Sequence, residues 1–327
     1  MKRVIDSLYY KNNKFLYYFK NSLRYFLCPK FIPRKRVAAI LISESEYDKN
    51  YIRDRVNYYN KLEKQTILSG AAIFLKNFKF IFRKKNRAGG RVYFFDAYEY
   101  TRCFPDNLKI IPLFGDIAHI PDEPSIVKSR PISNDNSNSV VMKLEKMRHF
   151  MFIKDHKKFK EKKDILVGRG AVYQPHRVKF YEDYFGNPLF DLGRTNKGNG
   201  EHPEWWVKPM TIGEHLNYKF ILCLEGNDVA TNLKWVMSSN SLAVMPKPKY
   251  ETWFMEGRLV GGKHYIELKD DFSDAEEKIK YYIDNPDEAL KIIENAHDWV
   301  NQFKDRKREE LISILVLQKY FKTTGQI

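Results

Sequence analysis

Residues 219–254 read KFILCLEGNDVATNLKWVMSSNSLAVMPKPKYETWF, and the hydrophobic rhythm of this stretch decides the fold. Residues 220–224 form an unbroken apolar run, the pattern of a strand buried on both faces. Glu225-Gly226-Asn227-Asp228 interrupts it. Val229, Leu233, Val236 and Met237 then recur at i, i+4, i+7 and i+8, which predicts a helix over 229–237 packed on a sheet. A second strand is predicted over 241–245. This order sets a helix N-terminus at the carboxyl end of a buried strand, where unpaired N–H groups and the helix dipole favour an anion. Lys234, one turn in, adds a full positive charge.

Working outward, the same alternation continues. In the second half of the chain, 164–167 reads as a strand, Gly168-Arg169-Gly170 as a tight loop, and 175–185 as a helix with Pro at its first turn. Residues 189–192 form a short strand, followed by a long loop over 193–210. Thr211 with Glu214 and Ser273 with Glu276 have capping-box spacing, and Asn285-Pro286-Asp287-Glu288 starts a further helix. The first half is predicted to hold strands at 36–42, 91–95 and 108–114 and a helix at 47–64. Residues 133–139, SNDNSNS, read as a polar loop, an exposed excursion or a linker. Alternating strands and helices imply an α/β fold with parallel sheets and ligands at strand carboxyl ends. The expected organisation is an N-terminal domain over 1–150 and a C-terminal domain over 151–327, both Rossmann-like, with the last helix packing back on the first.

The chain has 327 residues, 57 Lys and Arg against 41 Asp and Glu, and a formal net charge of +16. Such an excess calls for a polyanionic partner or surface. It is concentrated at 9–37 and 74–91, where cations alternate with Phe, Tyr and Leu. That pattern suits the headgroup level of an anionic membrane. It equally suits amphipathic helices whose aromatic faces belong to a core, and the two readings stay open. No nucleic-acid module accompanies the charge, so nucleic acid is not an expected partner. No apolar run approaches the ~20 residues needed to cross a bilayer, and Lys11, Lys14, Lys20 and Arg24 interrupt any signal-peptide core. Three scattered cysteines, Cys28, Cys103 and Cys223, argue for a reducing, cytoplasmic compartment.

The motif Glu225 to Lys234, followed by Ser238-Ser239-Asn240-Ser241, Tyr250-Glu251-Thr252-Trp253-Phe254 and His264-Tyr265, resembles the donor-binding half of glycosyltransferase family 90 over roughly residues 96–303. The similarity is closest to the bacterial branch of lipopolysaccharide core transferases. It implies the glycosyltransferase B-type architecture, two Rossmann-like domains facing a cleft, the first binding acceptor and the second a UDP-sugar. It also implies transfer of a hexose to a lipopolysaccharide core acceptor with inversion, at the cytoplasmic face of the inner membrane. Capsule polysaccharide or protein hydroxyls are alternative acceptors, and a non-catalytic module binding an anionic surface or nucleic acid is the alternative of another class.

Transfer needs a base for the acceptor hydroxyl and positive charge for the departing diphosphate. Asp116, five residues before Pro121, resembles the D-x-x-x-x-P segment carrying the family's catalytic aspartate; His119 and Asp122 are its neighbours and rivals. Arg169 with Gly170 resembles the family's R-G motif, with Arg177 behind it. Gly226, Asn227, Thr231, Asn232 and Lys234 complete the expected diphosphate site, and Glu251 is a donor-sugar candidate beside Tyr250 and Trp253. Asp191 to Thr195 would line the nucleoside pocket, and Trp205 and Trp206 could touch acceptor. Where the family's protein O-glucosyltransferases carry an arginine, this chain has Asn232, so other cations must cover the phosphates. No Asp-x-Asp motif occurs, and transfer without a metal or other cofactor is expected.

Overall fold

The computed structural model describes residues 12–80, 90–197 and 201–327. Parts of the two basic-aromatic stretches, 9–11 and 81–89, and residues 198–200 of the long loop lie outside these. The chain divides into two units, one built from Arg148–Pro248 and Arg258–Gln302, the other from Asn13–Met147, Lys249–Gly257 and Phe303–Ile327.

The first unit holds five strands, Lys163–Gly170 (β1), Phe190–Arg194 (β2), Tyr218–Leu222 (β3), Leu242–Pro246 (β4) and Ile266–Leu268 (β5), in the spatial order β5-β4-β3-β1-β2. All neighbours are parallel. Burial on both faces explains the apolar runs: every residue of β3 is buried. Leu166, Phe180, Phe220, Val244, Ile279 and Ile292 share one core cluster that joins the sheet to the helices Pro175–Tyr184, Ala275–Asp284 and Pro286–Asn301. Read from β2, this is the doubly wound order 2-1-3-4-5, whose winding reverses between β1 and β3.

Three local expectations are corrected here. Gly168-Arg169-Gly170 is the end of β1, because Arg169 and Gly170 pair with Gly193 and Arg194 of β2. The helix expected over 229–237 forms only at Leu233–Met237. A turn closed by the Gly226 N–H on Asp228 O (3.0 Å) precedes it, and Asn232 spends its side chain on Leu222 O (2.9 Å), competition that favours turns over helix. Ser273 does not cap the next helix; its hydroxyl binds Asp271 Oδ1 at 2.9 Å. The Thr211–Glu214 capping box is present.

The second unit carries helices Lys14–Phe26, Phe31–Ile42, Lys49–Tyr59, Gly90–Thr101 and Arg306–Thr323 and, among the described residues, strands that pair only two at a time. The strands expected at 36–42 and 91–95 are helical, lying within Phe31–Ile42 and Gly90–Thr101. A short apolar run does not separate a strand from a buried helix face. Of the strand expected at 108–114, Lys109–Ile110 pairs with Ile73–Phe74, and Pro112 forms an isolated parallel bridge to Ile126. Residues 133–139 lie within one unit and do not link the two. Ser133, Asn134 and Asp135 are exposed, as a polar excursion would be, while Asn136 is buried and donates to Pro131 O at 2.9 Å and Asn138 donates to Pro121 O and Asp122 O.

A buried ionic cluster fixes the unit's core. Glu309 accepts from Arg55 at 2.9 Å, Lys143 at 3.2 Å and the Trp253 indole at 2.6 Å. Trp253 stacks on Tyr59 at 3.8 Å. Burial opposes ionisation of Glu309, but Lys143 and Arg55 outweigh it and hold the carboxyl below its usual range. Removing one partner of such a cluster costs about 3–5 kcal/mol, since it strands a buried charge.

Candidate functional site

In a sheet of this order, ligands bind outside the strand carboxyl ends where the winding reverses. β1 and β3 end there at Gly170 and Leu222. Arg177, in the first turn of the helix that leaves β1, ties the two ends together. Its Nη1 donates to Ala171 O (2.7 Å), its Nη2 to Leu224 O (2.7 Å) and its Nε to Glu225 O (2.8 Å). His176 Nε2 lies 2.9 Å from the same Glu225 oxygen. Burial pushes the Arg177 pKa down, with Tyr173 and Tyr181 acting the other way, and a guanidinium remains protonated at neutral pH regardless. All its partners are neutral carbonyls, and no carboxylate pairs with it among the described residues. The reversal point therefore holds a positive charge without a counter-ion.

Two glycines border that charge. A Cβ on Gly226 would lie 3.4 Å from Arg177 Nη2, and one on Gly170 3.8 Å from Nη1. Asn227 is exposed and accepts from Gln174 Nε2 at 3.3 Å, while Gln174 Oε1 is buried with no hydrogen-bond partner. Such an acceptor costs about 1–3 kcal/mol unless something donates to it.

Arg169 lies one strand pair away, and its charge is already answered. Nη2 contacts the Asp191 carboxylate, and Nη1 donates to Asp191 O and Gly168 O. Burial works against the Asp191 carboxylate, yet hydrogen bonds from Tyr218 and Arg169 hold its pKa below the usual range. Lys234 is 1% exposed and partnered inside the fold, so it does not reach out as a free cation. With a helix of five residues behind it, the expected dipole site contributes little. Thr231 and Asn232 are half-buried in the turn before that helix. Thus Arg169, Gly170, Arg177, Gly226, Asn227, Thr231 and Asn232 gather around the β1 and β3 ends or their connecting loop.

Asp116 and Glu251 belong to the other unit and occupy different surroundings within it. Asp116 is 40% exposed and accepts from Lys128 Nζ at 2.7 Å; Lys128 is buried and lies 3.9 Å from Glu145, which accepts from Tyr93. His119 and Asp122 are exposed. Glu251 is buried, held by Arg130 Nε at 2.7 Å and by the Tyr58 hydroxyl. Trp253 seals the core; Trp205 stacks on His202 at 3.9 Å, and Trp206 is exposed.

Sequence reasoning passed over Lys128, Arg130, Gln174 and His176. For the first two a signal existed: SIVKSRP sets two cations two residues apart in a strand-like segment, so both fall on one face and require acidic partners. Gln174 and His176 carried no such signal.

Comparison with known proteins gives the family. Residues 142–323 match the model of glycosyl transferase family 90. O-glucosyltransferase LpsA of Dichelobacter nodosus is 43% identical over 270 residues, covering 83% of this chain and 82% of that protein. Protein O-glucosyltransferase 3 of Homo sapiens is 30% identical over 157 residues, 46% of this chain and 31% of its own length. A match spanning both the reversal-point loops and the closing helix, together with a relative aligned over most of both chains, places this glycosyltransferase in family 90.

Proposed function

We propose that the protein transfers glucose from UDP-glucose to a hydroxyl of a lipopolysaccharide core acceptor, with inversion and without a metal. The observation that carries this reading is the uncompensated Arg177 guanidinium between the β1 and β3 carboxyl ends. A diphosphate is the anion such a position suits, and Gly170 and Gly226 let it approach the main chain. Gln174 Oε1 would accept from a ribose hydroxyl or a base N–H. Asn227 and Thr231 would supply further polar contacts. The sugar itself comes from the names of the relatives, both O-glucosyltransferases.

In the reaction, the acceptor oxygen attacks the anomeric carbon while Asp116 takes its proton. The bond from that carbon to the β-phosphate oxygen breaks, and the electron pair leaves with UDP. Arg177, aided by Arg169, stabilises the charge that develops on the leaving diphosphate. Lys128, which donates to Asp116 Oδ1 at 2.7 Å, orients that carboxylate. Glu251, enclosed by Arg130 and Tyr58, acts in this reading as an anchor for segment 249–257. The acceptor is lipid-linked and the enzyme peripheral on the cytoplasmic face of the inner membrane; no helix among the described residues is long and apolar enough to cross a membrane.

The test is incubation of the protein with UDP-glucose, UDP-galactose or UDP-xylose and truncated lipopolysaccharide core acceptors in EDTA, read by mass. A gain of one hexose from UDP-glucose is expected. Transfer only to a protein or capsule acceptor would move the reading to those branches of the family.

A further inference from the structure

We infer that the Lys14–Phe26 helix and the start of the Phe31–Ile42 helix form a docking surface for an anionic lipid bilayer. This deepens the peripheral location proposed above but stands on separate observations. The Lys14–Phe26 helix is fastened to its unit by its polar side. Tyr17 donates to Asp96 Oδ1 at 2.7 Å, Arg24 pairs with Glu99 at 2.8 Å, and buried Asn21 links Arg24 to Tyr17 O. Tyr25 packs edge-on against Phe94 and Tyr98. The opposite side is apolar and exposed: Phe15 and Leu27 are 75% and 71% exposed, and Leu16, Phe19, Leu23 and Phe26 are exposed with them. At 100° per residue these six fall within a sector of about 120°. Phe31 and Ile32 extend the exposed row onto the next helix. A helix of a water-soluble surface is oriented the other way, apolar side inward.

Charge selects the occupant. Residues 12–42 contain seven Lys and Arg and no Asp or Glu. Arg24, Lys30 and Arg34 are paired with Glu99 and Asp106, while Lys14, Lys20 and Lys35 are exposed around the apolar sector. A second copy laid face to face would set like charges against one another. Anionic headgroups meet these lysines favourably while the rings settle shallowly among the acyl chains. The two stretches of mixed cations and aromatics thus divide: in 74–80, Phe78 is buried and packs on Phe94, serving the core.

Co-sedimentation of the full chain with phosphatidylethanolamine/phosphatidylglycerol vesicles, without donor or acceptor, tests the inference. Binding is expected, with little to phosphatidylcholine vesicles. The pair Phe19→Ser and Phe26→Ser should lower the partition coefficient by about tenfold or more. The pair Lys20→Glu and Lys35→Glu should do the same and flatten the salt dependence. All four side chains are exposed, so an unchanged far-UV circular dichroism spectrum should accompany each pair. Absence of vesicle binding, full binding by the Phe pair, or loss of a dimer rather than of vesicle binding would overturn the inference. No sugar moves in this assay, so its outcome is independent of the transfer reading.

Discussion

The Arg169 guanidinium lies on Asp191, one nitrogen against the carboxylate and another 2.5 Å from the same residue's main-chain oxygen. Tyr218 holds the second carboxylate oxygen at 2.6 Å. Arg169 therefore offers an incoming diphosphate less net charge than Arg177, whose partners are all carbonyls. Arg169→Ala should weaken UDP binding by about threefold, against about tenfold or more for Arg177→Ala. Titration calorimetry on the two variants checks the ranking; the reverse order would shift the diphosphate toward β2.

Gly193 makes the Arg169 placement possible. A Cβ there would sit 2.1 Å from Val207 Cγ2 and 3.1 Å from Arg169 Nε. Gly193→Ala should cost about 1–3 kcal/mol through overpacking, seen as a lower urea midpoint with an unchanged slope. Gly226→Ala, whose Cβ would be 3.4 Å from Arg177, should leave the midpoint nearly unchanged and weaken nucleotide binding instead.

Asp116 and Lys128 are separable by kinetics. Asp116→Asn should lower kcat by about 10²–10⁴-fold with UDP affinity unchanged, the loss typical of a missing general base. Lys128→Met removes the ammonium 2.7 Å from Asp116, so kcat should fall while UDP affinity stays unchanged, as for a group that positions the base. An unchanged kcat would detach Lys128 from the base.

Asp96 gives a stability signature with a defined sign. Burial lifts its pKa to about 6, with Lys146 and Tyr17 opposing. A carboxyl raised in the folded state stabilises the fold below its unfolded pKa, and that contribution disappears as pH rises through 6. Relative to Asp96→Asn, the natural protein should therefore lose up to about 3 kcal/mol between pH 4 and pH 6. Urea midpoints of both proteins across that window measure the difference. A constant difference would mean that Asp96 titrates alike in both states.

The sheet was legible because its strands are buried on both faces, so β3 and β4 appear as apolar runs that no exposed helix would tolerate. Gly170 and Arg177 were legible through the resemblance of Arg169-Gly170 to the family's R-G motif; Gly170 ends β1 and Arg177 sits in the first turn of the helix that follows. The other unit was not, because its order rests on long-range partners. Arg36 to Ile42 looks like a strand until the helical turns before it are known, and Tyr93 to Phe95 lie in a helix buried continuously from Tyr93 to Tyr98, which leaves no 3.6-residue rhythm. The Asp116–Lys128 and Glu251–Arg130 pairs join residues 12 and 121 positions apart, which no local pattern records. At 227–232, turn-forming side chains overrode the helical spacing.

Calorimetric titration of UDP into the protein in EDTA, beside the Arg177→Ala variant, addresses the account at its centre. One site per chain is expected, with affinity about tenfold or more weaker in the variant. No detectable UDP binding, or equal affinity in the two proteins, would contradict it.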